Sequence, residues 1–403
     1  MAEQHGKTLV PQIRFAGFTD PWEQRKLGDV ARRVTRKNEN RDSDLPLTIS
    51  AQYGLVDQRT FFNNQVASKD MSGYFLLHKG EFAYNKSTST DSPWGAIKRL
   101  EKYDMGCVST LYICFELLSG DPDFLVTYYE TDRWYKAVQL IAAEGARNHG
   151  LLNIAPDDFF ETQICIPKRI DEQRRIGAFF DRLDSLITLH QRKYDKLCVL
   201  KKSMLDKMFP KGGSLYPEIR FAGFTDPWEQ RKLSDLTDRV SIQSSDSDLP
   251  QVEYEDIIPG EGTLNKDLRD KKGGKTGIKF YAGDVLYGKL RPYLMNWLYP
   301  QFNGVAVGDF WVLRATECDS SFLYRLVQTG SFQRLANVSS GSKMPRADWN
   351  LISQSFFAVP ADHAEQKAIA KGLAELDTLI TLHQRKLELL RNIKKSMLDK
   401  MFV

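Results

Sequence analysis

Two stretches of the chain share one pattern of hydrophobic and polar positions. In each, apolar residues recur at intervals of three and four, and lysines and arginines mostly occupy the positions between them. The apolar positions are Leu183, Leu186, Ile187, Tyr194, Leu197, Leu200, Met204 and Met208 in the first stretch, and Leu376, Leu379, Ile380, Leu387, Leu390, Ile393, Met397 and Met401 in the second. This spacing puts the apolar side chains on one helix face. It predicts two amphipathic helices of about 38 to 40 residues, each roughly 60 Å long.

The flanking residues indicate where these helices begin and end. Asp362, followed three residues later by Glu365, forms a capping-box pattern just after Pro360 and predicts the start of the second helix. Pro210, with two glycines close behind, predicts the end of the first. A helix this long cannot bury its apolar stripe on one small domain, so we expect the two to pack as an antiparallel coiled coil. Periodicity alone is equally consistent with a plain dimerisation coiled coil.

The regions before the two helices have a mixed pattern. Short β-prone runs, such as Gly283 to Leu290 and Gly304 to Ala315, alternate with helical stretches such as Ser321 to Ala336. This pattern predicts one α+β domain of about 120 residues in each region. The predicted fold class is α+β, with two globular domains in a pseudo-two-fold repeat joined by the long helices.

The fifteen residues IRFAGFTDPWEQRKL occur twice, at Ile13 to Leu27 and at Ile219 to Leu233. The blocks around them agree at 17 of 20 positions with an offset of 206, and the helical blocks agree at 20 of 27 positions with an offset of 193. The predicted segments are an arm and first head (1–30), a first variable domain (31–165), a central helix (166–211), a linker and second head (212–238), a second variable domain (239–359) and a C-terminal helix (360–403). Since the frame repeats while the variable domains differ, we interpret the chain as one holder for two different readers.

Composition and charge narrow the class of protein. The chain is 42% hydrophobic and 27% charged, as in ordinary globular proteins, and its net charge of +4 is small for 403 residues. A surface that binds a polyanion must therefore be built by local clustering of cations. The five cysteines are scattered and form no C-x-x-C pair, and the sequence contains no apolar window of membrane-spanning length. These features predict reduced thiols and a cytoplasmic location.

Basic and polar residues cluster in loop-like segments of both variable regions. The candidate DNA-binding residues are Lys86, Ser87, Arg147, Asn148 and His149 in the first region, and Lys289, Arg291, Tyr293, Ser342, Lys343 and Arg346 in the second. Lysine and arginine neutralise phosphates, and arginine, asparagine and serine side chains can also contact base edges. The alternative interpretation of any one such loop is an ordinary solvated surface.

The sequence contains no recognisable catalytic or cofactor motif. The stretch DKKGGKTG at Asp270 to Gly277 is similar to a P-loop, but Arg269 stands where the first glycine is required. None of the six histidines forms a metal-spaced pair with another histidine or a cysteine. We therefore expect a protein without an active site, bound metal or cofactor of its own, and the absent motifs count against a self-contained modifying enzyme.

The order of these parts resembles the specificity subunit of type I restriction-modification systems. Each variable region leads into a long helix, through IPKRIDEQRRIGAFFDRLDSLITLHQRK or VPADHAEQKAIAKGLAELDTLITLHQRK. The stretches FYAGDVLYGKLRPYLMNW and SGSKMPRADWNLISQSFFAVP resemble the ends of that family's target-recognition domains, and KGEFAYNKS at Lys79 is similar to a corresponding segment. EGARNHGLLN in the first region mirrors SGSKMPRADW only loosely.

The resemblance implies a non-catalytic subunit that reads double-stranded DNA. Each recognition domain would read one half of a split, asymmetric site, and the paired helices would fix the gap. The partners implied are two methyltransferase subunits, which use S-adenosylmethionine, and restriction subunits that translocate DNA with ATP and Mg. A coiled-coil scaffold without sequence-specific DNA recognition is the alternative.

The two identical heads are candidates for docking two identical methyltransferases. Their aromatic residues are predicted to be exposed and to bind the partner: Phe15, Phe18, Trp22, Phe221, Phe224 and Trp228. The alternative is that these side chains fasten each head to its own domain.

Overall fold

A computed structural model describes residues 9–50, 53–62, 67–90, 92–142, 150–268, 273–338 and 344–403. These residues form two compact units. Unit 1 contains the described residues up to Leu189 together with Leu387–Val403, and unit 2 contains those of His190–Lys386. Each unit therefore includes one segment of each of two long helices, α6 (Ile170–Lys207) and α11 (His363–Lys400).

Unit 1 combines short strands with short helices. Its strands are β1 Glu23–Lys26, β2 Ala31–Val34, β3 Leu47–Ser50, β4 Gly54–Asp57, β5 Phe75–His78, β6 Phe82–Asn85, β7 Ala96–Arg99, β8 Met105–Val108, β9 Ile113–Leu117 and β10 Gln163–Ile166. Its short helices are α1 Leu27–Val30, α2 Gln58–Phe62, α3 Pro122–Tyr128, α4 Tyr135–Ile141 and α5 Pro156–Phe160.

Unit 2 has a comparable set of elements. Its strands are β11 Glu229–Lys232, β12 Thr237–Val240, β13 Gln243–Ser244, β14 Gln251–Val252, β15 Ile257–Ile258, β16 Thr263–Leu264, β17 Gly277–Phe280, β18 Val285–Gly288, β19 Trp297–Leu298, β20 Gly304–Ala306, β21 Phe310–Ala315 and β22 Phe356–Val359. Its short helices are α7 Leu233–Leu236, α8 Ser320–Leu326, α9 Gly330–Ala336 and α10 Trp349–Gln354, with 3₁₀ turns at Tyr254–Asp256 and Pro292–Leu294. Both units mix helices and strands, as the α+β prediction requires.

One four-stranded antiparallel sheet is common to the two units. Its order is β2-β9-β6-β7 in unit 1 and β12-β21-β18-β19 in unit 2. The central strands are mostly apolar and buried. Tyr84 and Phe115, like Tyr287 and Trp311, are buried in aromatic clusters. Each such side chain contributes about 1.5–3 kcal/mol through burial. The variable regions therefore share a core despite their different sequences.

The remaining strands differ between the units. Unit 1 adds two separate pairs, β3-β4 and β5-β8, whereas unit 2 adds the four-stranded sheet β13-β17-β20-β14 and the pair β15-β16. In unit 2, β14 and β20 are parallel neighbours. The divergence between the two units is thus concentrated outside the common sheet.

Both long helices have the predicted length, at 38 residues each. α11 begins directly after Asp362, whose carboxylate accepts a hydrogen bond from the backbone N–H of Ala364 at 2.7 Å. The predicted capping box is wrong in one respect, because the carboxylate of Glu365 is bound by Arg220 and Trp228. None of the described helices is long and apolar enough to cross a membrane.

Within each unit the two long-helix segments run antiparallel. In unit 1, Phe180 of α6 packs against Phe402 just beyond α11, with ring centroids 6.0 Å apart. The ammonium nitrogen of Lys394 lies 2.6 Å from a carboxylate oxygen of Asp184. In unit 2, Lys201 lies 2.6 Å from Asp377. The start of α6 therefore lies beside the end of α11 in unit 1, and the end of α6 lies beside the start of α11 in unit 2.

Candidate nucleic-acid interface

The candidate interface of unit 2 forms where β18 leaves the common sheet. The chain continues through Lys289 and a turn, and this stretch pairs with the segment that leads into α10. Leu290 bridges Arg346, the Arg291 N–H donates to the Pro345 carbonyl at 2.8 Å, and the Ala347 N–H donates to the Lys289 carbonyl at 2.9 Å. Two segments that are far apart in the sequence are thus joined into one basic surface.

An aspartate and a tyrosine hold the cations of this surface in place. Asp309 lies between Lys289 and Arg346, with N–O distances of 3.6 and 2.9 Å. The Tyr254 hydroxyl donates to the Asp309 carbonyl at 2.5 Å and accepts from the Leu290 N–H at 3.2 Å. Burial raises the pKa of Tyr254 to about 12, so its hydroxyl remains a donor at neutral pH. One carboxylate between two cations leaves this part of the surface positive.

The turn from Arg291 to Met295 has an unusual backbone. Arg291 and Met295 have φ of 49° and 55°, in the left-handed region that costs a non-glycine residue about 1–2 kcal/mol. Pro292, which lies between them, is buried and fixes the turn. Arg291 and Tyr293 are exposed, and the guanidinium of Arg291 forms no ion pair with any residue in the described part of the chain.

Unit 1 repeats this construction with different side chains. Ser87 bridges Leu151, the Thr88 N–H donates to the Gly150 carbonyl at 2.6 Å, and the Leu152 N–H donates to the Lys86 carbonyl at 3.0 Å. These bonds match Lys86, Ser87 and Thr88 to Lys289, Leu290 and Arg291. The two halves of the chain therefore present corresponding loops.

Lys86 is less available for a ligand than Lys289. Its ammonium donates to the Ile154 carbonyl at 3.2 Å, and burial lowers its pKa. Ser87 is exposed. The other predicted residues of these loops, Arg147, Asn148, His149, Ser342 and Lys343, lie outside the described residues.

Sequence reasoning missed the residues that organise these loops. Asp309 pairs with Lys289 and Arg346, and Tyr254 bonds to Asp309 and Leu290, all across tens of residues. No local pattern indicates such pairing. The matching segments GEFAYN and GDVLYG did carry a detectable feature, a carboxylate in the same position. Glu81 accepts two hydrogen bonds from Arg36, at 3.1 and 3.3 Å, and Asp284 accepts two from Arg314, at 2.7 and 2.8 Å.

Each head is fastened to the start of the long helix in its own unit. The Arg14 guanidinium donates two hydrogen bonds to the Glu172 carboxylate of α6, at 2.6 and 2.8 Å. The indole N–H of Trp22 donates to the same carboxylate at 3.4 Å. In unit 2, Arg220 grips Glu365 of α11 at 2.7 and 2.8 Å. We call each of these arrangements a head clamp.

Trp228 completes the second head clamp, because its indole N–H donates to Glu365 at 3.2 Å. The predicted exposure of Trp22 and Trp228 is therefore wrong: their side chains are 2% and 1% exposed. Each indole has an apolar body that packs on its own unit and an N–H that needs a buried acceptor. Trp22 meets Phe402 and Trp228 meets Phe209, both at 5.9 Å between centroids.

The four phenylalanines of the heads differ in exposure. Phe18 is buried, with the guanidinium groups of Arg169 and Arg175 4.9 and 5.3 Å from its ring centre, so its predicted exposure is also wrong. Phe15 is half-buried against Phe179. In unit 2 no arginine occupies the matching positions, which are Asp362 and Ala368. Of the two phenylalanines in that head, Phe221 is exposed and Phe224 is half-exposed.

The heads also close the C-terminal ends of the long helices. The Ile13 N–H donates to the Lys400 carbonyl at 3.0 Å in unit 1, and the Ile219 N–H donates to the Lys207 carbonyl at 3.1 Å in unit 2. Strand β1 pairs with β10, and β11 pairs with β22, in the same register. The repeated fifteen residues thus join the variable domain, the start of one long helix and the end of the other.

Charged networks join the helix segments to the variable domains. Lys394 lies between Asp184 and Glu130, at 2.6 and 2.8 Å, whereas Asp377 lies between Lys201 and Arg325, both at 2.6 Å. Within the described residues, no three His, Cys, Asp or Glu side chains lie close enough together to hold a metal ion.

The chain is similar to the specificity subunits of type I restriction enzymes, and the resemblance inferred from the sequence is confirmed. The chain is 21% identical over 317 residues to the MjaVIII specificity subunit of Methanocaldococcus jannaschii, covering 73% of each chain. It is 27% identical over 184 residues to the EcoDI specificity subunit of Escherichia coli, covering 43% of this chain and 41% of that relative. No family model matches the chain.

Solved structures agree on the fold. The S subunit of a type I restriction-modification system from M. genitalium aligns with 98% of this chain and 99% of its own length, at 14% identity and a TM-score of 0.55. A chain from a study of complex assembly in a type I restriction-modification system covers 94% of this chain and 97% of its own length, with 15% identity and a TM-score of 0.50.

Proposed function

We propose that this chain is the DNA-reading specificity subunit of a type I restriction-modification complex. One observation carries the proposal. Two different variable domains are attached to the long helices by the same head clamp, and each presents a corresponding loop that begins with a lysine, Lys86 or Lys289. Each domain would read one half of a bipartite, asymmetric DNA site. The chain would itself be non-catalytic and would direct adenine methylation and restriction by its partner subunits.

The long helices would act as the spacer between the two readers. We propose that their antiparallel pairing extends over both units as a coiled coil and fixes the gap between the half-sites. Readers that approach one face of B-DNA need half-site centres about 10 base pairs apart, or a multiple of this distance. Lengthening both helices should change the gap and leave both half-sites unchanged.

The partner subunits would supply the chemistry. We propose two methyltransferase subunits, with S-adenosylmethionine, and restriction subunits that use ATP and Mg, all acting in the cytoplasm. The parts of the heads that stay accessible, Phe221 and Phe224 with the half-buried Phe15, are the proposed docking residues. Trp22, Trp228 and Phe18 are not available for that role because their own units bury them.

A methylation map tests the recognition role. The chain is co-expressed with its methyltransferase in a host that lacks DNA methylation, and methyladenine is located at base resolution. A split motif that depends on this chain is the expected result. If the two proteins co-purify and no motif appears, the chain is a scaffold and the proposal is wrong.

An exchange of the second variable domain, residues 239–359, tests the division of labour. Replacing it with that of a relative should change one half of the motif and leave the other intact. Within that domain, Lys289→Ala should reduce the slope of log affinity against log salt by about 1, the value expected for one phosphate contact. Arg231→Ala, which removes a half-exposed arginine of the second head, is the control and should leave the slope unchanged.

A further inference from the structure

The turn after β18, here called the apolar turn (Arg291–Met295), exposes an apolar tip. Tyr293, Leu294 and Met295 are consecutive and 54%, 38% and 43% exposed. Adjacent exposed side chains of this size are typical of binding sites rather than of ordinary surface. The tip follows Lys289 and Arg291 on the loop that pairs with Arg346 through Leu290.

Strain and an unpaired polar group accompany this tip. Both ends of the turn, Arg291 and Met295, have left-handed backbones, and these are two of only three such non-glycine residues in the described part of the chain. Two backbone hydrogen bonds fix the end of the turn: the Gly260 N–H donates to the Met295 carbonyl at 2.9 Å, and the Gly288 N–H donates to the Asn296 carbonyl at 2.7 Å. Asn296 is 6% exposed, and its side-chain oxygen has no hydrogen-bond partner. Strain of this kind is found at binding sites that are held ready for a ligand.

We propose that the apolar turn is a wedge that inserts Leu294 and Met295 into a base step of duplex DNA, while Arg291 pairs with a flanking phosphate. The proposal rests on the proposed function and deepens it. Leucine and methionine are among the side chains that open base steps and bend the duplex. Pyrimidine–purine steps open most easily, so the wedge would favour such a step in the half-site of unit 2.

The chemistry of the surface favours DNA over a protein partner. An apolar tip on the same loop as Lys289 and Arg291, which pairs with the segment that carries Arg346, matches a duplex, where apolar base faces lie between two rows of phosphates. Apart from the Tyr293 hydroxyl, the side chains of Tyr293 to Met295 offer no hydrogen-bonding group for reading base edges. The tip is therefore suited to opening a base step and poorly suited to direct readout.

Unit 1 carries no such wedge in its described residues. The loop that corresponds to the apolar turn contains the hydroxyl side chains of Ser87, Thr88, Ser89, Thr90 and Ser92, and none of these residues has a left-handed backbone. We therefore expect the distortion in one half-site only.

The test uses the full chain with its methyltransferase and the motif obtained by methylation mapping. Each adenine other than the methylated ones is replaced in turn by 2-aminopurine, whose fluorescence rises when its base step opens. The methylated adenines are left in place because a methyltransferase flips its target base out of the stack. In the wild-type complex one step in the half-site of unit 2 should become several-fold brighter, and no step in the other half-site should. Leu294→Ala should abolish the rise and weaken binding about tenfold, a loss expected for one good groove contact. Leu351→Ala, which removes a leucine of similar exposure on α10, is the matched control and should behave as wild type.

Met295→Gly tests whether the wedge can be lost without a loss of stability. Glycine adopts the left-handed conformation without strain, so the variant should melt at a temperature equal to or above that of the wild type and still lose the fluorescence rise. A wild-type complex that methylates its motif but stays fully stacked would refute the wedge and leave the proposed function intact. A rise that persists in Leu294→Ala, or that is equal in both half-sites, would also refute it. A wild-type chain that produces no motif would refute the proposed function itself.

Discussion

Removing the carboxylate of Glu365 should cost unit 2 a large part of its stability. The carboxylate is 2% exposed and accepts two hydrogen bonds from Arg220 and one from Trp228. Glu365→Ala leaves the guanidinium of Arg220, 15% exposed, without the carboxylate that binds it and the indole N–H of Trp228 without its acceptor. Breaking a buried ion pair from one side costs about 3–5 kcal/mol, because the remaining charge stays desolvated. We expect about 3 kcal/mol, at the lower end, since Arg220 retains some access to water.

Hydrogen exchange of the full chain, read from peptides of each unit, measures this loss where it occurs. Glu365→Ala should raise exchange in unit 2 and spare the variable domain of unit 1, and Glu172→Ala should do the reverse. Glu229→Ala is the control, because its 3.7 Å pair with Arg231 is exposed on both sides and contributes at most about 1 kcal/mol. If Glu365→Ala stays within about 0.5 kcal/mol of wild type, the head clamp does not hold the unit, and partner docking alone must explain the repeated heads.

Three further predictions concern the long helices and the common sheet. His190 and His383 face each other, with their Nδ1 atoms 2.9 Å apart. Burial, followed by nearby positive charge, lowers the pKa of His190, so its contribution to stability should be complete above about pH 6.5 and fall as the pH drops below it. His190→Gln, which removes the titrating group, should flatten this profile in thermal melts. Lys394→Met should cost about 1–2 kcal/mol in urea unfolding, because Asp184 loses its ion pair and Glu130 keeps only the 3.7 Å pair with Lys98. The exposed Lys395→Met should cost less than about 0.5 kcal/mol, and equal losses would contradict the role of the network. Gly95→Ala should cost at least about 2 kcal/mol, since φ is +80° and the new Cβ would overlap the carbonyl oxygen of the last residue of β6; a neutral result in the same assay would refute this.

Local patterns in the sequence were sufficient for the frame of the fold. The three-and-four spacing predicts both long helices with their observed length, because that periodicity is a property of a single element and needs no knowledge of its neighbours. The capping residue Asp362 marks the start of α11 for the same reason. The repeats likewise predicted that two segments would be built alike.

Long-range pairing was beyond the reach of these patterns. Trp22 and Trp228 looked like docking residues because a head rich in aromatic side chains can be a partner surface or a buried staple, and only the position of Glu172 or Glu365 decides between the two. Lys86 looked like a free cation, and only its distance to the Ile154 carbonyl reveals that it is tethered. The strand order beyond the common sheet could not be predicted either, because short strands with similar composition fit several pairings.

The way in which the repeated segments hold the variable domains explains how one scaffold can carry two domains of different sequence. Besides Glu172 and Glu365, each long helix begins with a buried glutamine, Gln173 or Gln366. Its side-chain oxygen accepts a hydrogen bond from a backbone N–H of the variable domain, at 2.9 and 2.7 Å respectively. Almost any residue supplies a backbone N–H, so these bonds require a particular local backbone conformation but no particular side chain. These bonds therefore constrain where each variable domain sits and leave the sequences of its loops free to diverge.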